Sequence, residues 1–118
     1  MLFTKDEHEQ KAIENEKFAQ TLPSSVSGVE WAITATFYAA VHYVQAYFAK
    51  SGRSFSSHGA RAAAILKDGA ISSIYNDYQD LYNISRDARY EVMNLQPGHL
   101  TFAQNKLQDV KKIICKLL

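Results

Sequence analysis

The stretch from Val29 to Phe48 restricts what this chain can fold into more than any other segment. It is the most apolar run in the molecule, yet Glu30, Thr34, Thr36, His42 and Gln45 interrupt it. A lipid-spanning helix would leave those polar groups in hydrocarbon, so the segment reads as the core helix of a globular protein. Its apolar side chains, among them Trp31, Ile33, Phe37, Tyr38, Val41, Tyr43, Val44, Tyr47 and Phe48, fall around most of a helical circumference. A helix of that kind must be covered on several sides, which makes it the central member of a packed group.

The neighbours are marked by capping signals, in which a Ser or Thr that can accept from free backbone N–H groups is followed three residues later by Glu or Gln. Thr4 with Glu7, Ser27 with Glu30 and Thr101 with Gln104 fit this pattern, and breakers stand at Pro23, Gly28, Gly52, Asp68-Gly69 and Pro97-Gly98. Helices are predicted over 4–21, 28–50, 57–67, 70–94 and 101–117. Ile71, Ile74, Tyr78, Leu81, Ser85, Ala88, Val92 and Leu95 recur at helical spacing in the fourth. Phe102, Leu107, Val110, Ile113, Ile114 and Leu117 do so in the fifth, leaving Lys106, Lys111, Lys112 and Lys116 to face water. No useful strand-like alternation competes. The expected fold is all-α, an antiparallel bundle of four to five helices in a single domain spanning 1–118, because the connections are short.

Thirteen Lys and Arg against twelve Asp and Glu leave a net charge of +1, so no global field draws the molecule to nucleic acid or membrane. The distribution is uneven. Residues 1–30 carry three basic and six acidic side chains, and the remainder ten basic and six acidic. With one cysteine, Cys115, no internal disulfide can form, and the first residues turn charged before a signal-length apolar run develops. A cytoplasmic location without membrane association is therefore expected. The His residues are scattered and the Gly residues isolated, so neither a metal centre nor a phosphate-cradling loop is indicated and no cofactor is expected.

The segment Thr36 to Gly52, with Phe37-Tyr38, the small pair Ala39-Ala40, His42 and the closing Gly52, resembles the second helix of HEPN (higher eukaryotes and prokaryotes nucleotide-binding) domains. The resemblance continues through Ser57-His58, Leu81-Tyr82 and Arg86-Asp87-Ala88-Arg89-Tyr90-Glu91, covering residues 28–94. It implies a helical bundle, frequent homodimerisation and a nucleotide- or RNA-related role. Toxin–antitoxin and defence settings, and partnership with small nucleotidyltransferases, are also implied. Nuclease members hold an Arg and a His four to six residues apart and cleave RNA without metal. In such a pair Arg grips the phosphate while His moves the proton.

Arg53 and His58 satisfy that spacing but straddle the turn after the second helix, whereas the nuclease pair belongs to a later helix. Arg86 and Arg89, on the later helix, have no His at the required distance. Tyr38, His42, Arg61, Arg86, Arg89 and Tyr90 are the candidate ligand-binding residues, being polar groups that recur on otherwise apolar helices. Each has an ordinary alternative: His42 satisfied by Tyr38 one turn away or by backbone, a Tyr75–Tyr78–Tyr82 packing ridge, and Arg86 and Arg89 paired with Asp87 or Glu91. Three readings stand: a noncatalytic HEPN-like domain binding a nucleotide, RNA or a partner protein; a metal-independent endoribonuclease using Arg53 and His58; and a structural interaction module.

Overall fold

The computed structural model describes residues 2–90 and 95–118. Its helices are α1 (Lys5–Thr21), α2 (Val26–Ala49), α3 (His58–Lys67), α4 (Tyr75–Tyr90) and α5 (Pro97–Ile114). Single 3₁₀ turns lead into α4 at Ser72–Ile74 and follow α5 at Cys115–Leu117. Among the described residues there is no strand, and the chain forms the expected all-α bundle.

Caps set the boundaries, and two differ from the sequence expectation. Thr4 and Glu7 do form a reciprocal capping box, with Thr4 N–H donating to Glu7 Oε1 at 2.9 Å and Glu7 N–H to Thr4 Oγ1 at 3.1 Å. In α2, however, Ser25 rather than Ser27 is the cap, accepting from Gly28 N–H at 3.1 Å. Helix α5 starts at Pro97 rather than Thr101. Pro needs no hydrogen-bonded N–H in a first turn, and His99 Nδ1 accepts from Gln96 N–H at 2.9 Å. Thr101 lies inside the helix with its hydroxyl donating to Pro97 O. The regular part of α4 begins at Tyr75 instead of residue 70; Glu91 and Val92 lie outside the described residues.

α2 packs against α1, α4 and α5, the position its nearly all-round apolar surface demands. Contacts between His8 and His42, and of Ala19 with Ala32 and Ala35, make α1 antiparallel to it. α5 runs parallel to α2, with Leu100 near Ala32 and Lys111 over Tyr43. The core includes Ile33, Phe37, Val44 and Phe48 of α2, Tyr78 and Leu81 of α4, and Leu107, Val110 and Ile114 of α5. The stripe expected in the fourth helix is buried at Ile71, Ile74, Tyr78, Leu81, Ser85, Ala88 and Leu95. Two large side chains expected inside are instead outside: Trp31 is 62% exposed and Phe102 43%. Phe102 sits beneath the ammonium of Lys106. Lys106 and Lys111 do not simply face water, since Lys106 pairs with Asp77 and Asp80, and Lys111 with Glu16 of α1.

Candidate functional site

Two helices supply most of the candidate residues. Trp31, Tyr38 and His42 recur at seven- and four-residue steps along α2, so they form one ridge, and α4 sets Tyr82, Arg86 and Arg89 on the facing turns. Arg89 Nη1 donates to Tyr38 Oη at 2.8 Å, closing the two helices together. The Arg89 guanidinium also lies over the rings of Phe37, Tyr38 and Tyr90 at 5.7, 5.6 and 5.3 Å. Its Nε is buried and has no hydrogen-bond partner among the described residues. Arg86 stands over Tyr82 and Tyr90 at 5.9 and 6.0 Å. The expected alternative, in which Asp87 neutralises one of these arginines, is not what forms: among the described residues no ion pair joins Asp87 to Arg86 or Arg89.

Beside this contact lies a cleft of about 390 Å³, lined by Glu30, Trp31, Thr34, Tyr38, Arg89 and Tyr90. Three aromatic side chains border it while exposed to solvent, Tyr90 at 69%, Trp31 at 62% and Tyr38 at 41%. An arginine spread across aromatic faces, next to a cleft with more aromatic surface, can hold an anion and offer π-faces to a planar group.

The other candidates are placed differently. Arg53 rests over Phe48 and Phe55 at 5.1 and 5.2 Å. His58 opens α3 after its Ser57 cap and stacks flat on Tyr82, with ring centroids 3.5 Å apart. Its Nε2 meets Gln79 Oε1 at 2.6 Å, while Gln79 Nε2 donates to Tyr75 Oη, so Nε2 of His58 carries the proton. Burial lowers the His58 pKa, Gln79 raises it in part and Arg61 lowers it further. Among the described residues no hydrogen bond or ring contact joins Arg53 to His58. Arg61 is 7% exposed and acts as a brace, donating from Nη1 to Tyr78 Oη at 3.1 Å and from Nη2 to Phe55 O at 2.8 Å.

Among the described residues His42 is hydrogen-bonded neither to Tyr38 nor to backbone. Its partner is His8 of α1, with the two Nδ1 atoms 3.1 Å apart. Ring centroids 5.3 Å apart and a 31° interplanar angle describe rings meeting nearly edge to edge, the arrangement of an N–H···N bond. Burial, then the neighbouring His8, hold the His42 pKa at about 4. This pair borders a wider hollow of about 770 Å³ with Phe3, Glu7, Lys11 and Glu14. Among the described residues no group of three or more His, Cys, Asp or Glu gathers as a metal-ligand set.

The cleft residues that sequence reasoning missed are Trp31, Glu30 and Thr34. Trp31 was expected in the core because hydropathy cannot tell which face of a nearly all-apolar helix stays uncovered. The one available signal was position: Trp31 and Tyr38, seven residues apart, share a face with Thr34 and Glu30 near it. No family model matches the chain, and no curated protein matches it either.

Proposed function

We propose that this chain is a noncatalytic HEPN-like helical domain that binds a nucleotide or single-stranded RNA in the cleft between α2 and α4. The observation that carries this reading is Arg89: an arginine with no carboxylate partner among the described residues, laid across Phe37, Tyr38 and Tyr90 at the edge of an open cleft. A phosphate would pair with its guanidinium, and a base would stack on the exposed rings of Trp31, Tyr38 or Tyr90. Arg86, on the same side of α4, adds a second positive charge without a carboxylate partner among the described residues.

Binding rather than cleavage is favoured because Arg53 and His58 are each engaged with separate aromatic groups. Trp31 is the chain's single tryptophan, so its emission reports on the cleft directly. Short single-stranded RNA is expected to quench Trp31, with Arg89→Ala losing about tenfold or more in affinity, the cost of one charge-assisted contact. An electrophoretic check of the same RNA is expected to show it intact. RNA cleavage abolished by Arg53→Ala and by His58→Ala would replace this reading with the nuclease, and absence of any binding would leave a protein-partner role for the same surface.

A further inference from the structure

The cleft contains a second charged group, and its sign is opposite to that of Arg89. Glu30 lines the cleft beside Trp31. Its backbone carbonyl accepts from Thr34 Oγ1 at 3.0 Å, but its carboxylate has neither an ion pair nor a hydrogen bond among the described residues. Glu30 and Arg89 therefore face one small cavity without pairing with each other. Among the described residues, one of the five N–H donors of Arg89 has a hydrogen-bond partner, Tyr38. The cavity thus offers an acceptor-only carboxylate, an under-used donor fork and exposed aromatic faces within about 390 Å³. That volume lies near the lower end of the ~300–1,000 Å³ typical of small-molecule sites, room for one nucleotide rather than an extended oligomer.

A nucleotide whose base edge meets Glu30 would present N–H donors to that carboxylate, an acceptor or anion to Arg89 and a flat ring to the aromatics. Among the common bases, guanine alone has two neighbouring N–H groups on its pairing edge, at N1 and N2, with the acceptors O6 and N7 on its other side. Adenine would set its N1 lone pair against the carboxylate, and cytosine its N3. Uracil would offer one N–H flanked by two carbonyl oxygens. Each of these sets an acceptor against an acceptor, a loss that discriminates more strongly than a difference in size. Deepening the nucleotide-binding reading on which it rests, we infer that the cleft is selective for guanine, with Glu30 reading N1–H and N2–H and Arg89 holding O6 or the phosphate. The base is supplied either by a free guanine nucleotide or by an unpaired guanosine in RNA.

The test is titration of Trp31 emission with GMP, IMP and AMP and with hexameric single-stranded RNAs that carry one guanosine or none, in wild type and in Glu30→Gln. Wild type is expected to prefer GMP over AMP by about tenfold or more, with IMP, which lacks the N2 amine, in between. Glu30→Gln, with its helical circular dichroism intact, should bring GMP affinity down to the level of AMP. Where the guanosine-bearing hexamer outbinds the guanosine-free one and GMP outbinds AMP, guanine selection is supported; a hexamer tighter than GMP then assigns RNA as the source, and the reverse assigns the free nucleotide. Equal affinities for GMP and AMP in wild type, or a preference that survives Glu30→Gln, would overturn guanine selection while leaving nucleotide binding intact. Absence of binding by every probe would overturn both.

Discussion

Arg61 and His42 illustrate how differently two polar residues on apolar helices can be used. Arg61 is a brace: its charge is buried against Tyr78 Oη and Phe55 O, with no carboxylate partner among the described residues. Tyr78→Phe leaves one of its N–H groups without an acceptor, and the expected cost is about 1–3 kcal/mol of stability, measurable by denaturant unfolding. His42 and His8 instead give the fold a pH dependence. Both pKa values are lowered chiefly by burial; Glu7 opposes this at His8, while Lys11 and Arg61 add to it at His42. A histidine held neutral in the folded state, but titrating near 6.5 when unfolded, binds fewer protons folded than unfolded between those values. Stability is therefore fully present above about pH 6.5 and falls as the pH drops toward 4. Thermal unfolding followed from pH 7 to pH 4.5 should show this decline, and His42→Asn should flatten it.

At the scale of elements, the α1–α2 junction is tightest at Gly28. A Cβ there would sit 2.0 Å from the Pro23 carbonyl oxygen, so Gly28→Ala must shift backbone and is expected to cost about 1–3 kcal/mol. Gly59 in α3 has open space where its Cβ would be, and Gly59→Ala should be neutral or stabilising by up to about 1 kcal/mol. Comparing the two melting temperatures checks both. α1 buries only Ala12, Ala19 and His8 fully, so polar ties matter to its docking. Glu16 accepts from Tyr43 Oη at 3.0 Å and from Lys111 Nζ at 2.9 Å, joining α1 to α2 and α5. Glu16→Ala is expected to cost about 1–3 kcal/mol and to raise hydrogen exchange in α1 first. Helix number and type were legible in the sequence because Pro, Gly and periodic apolar residues act locally. The starts of α2 and α5 were not, since Ser25 competes with Ser27, and Pro97 with Thr101, as places where a first turn can open.

Across the whole molecule, the uneven charge of the sequence resolves into an acidic α1 tied to basic α5 by Glu16 and Lys111, leaving Arg86 and Arg89 on the α4 side. No helix among the described residues is long and apolar enough to cross a membrane. The candidate site was legible in part. Tyr38, Arg89 and Tyr90 meet at one cleft, whereas Arg53 and His58 rest on different aromatic rings and Arg61 turns inward, because spacing along a chain does not specify which way a side chain leaves a turn. Glu30 and Trp31 escaped because a cleft is a property of two helices and their uncovered faces, not of either sequence. The most direct measurement is Trp31 emission during titration with guanosine-bearing single-stranded RNA, in wild type and in Arg89→Ala at low and high salt. Saturable quenching that weakens with salt and is lost in the variant is the predicted result; an unchanged emission in wild type, with no binding seen by fluorescence anisotropy of labelled RNA, would contradict nucleotide recognition by the α2–α4 cleft.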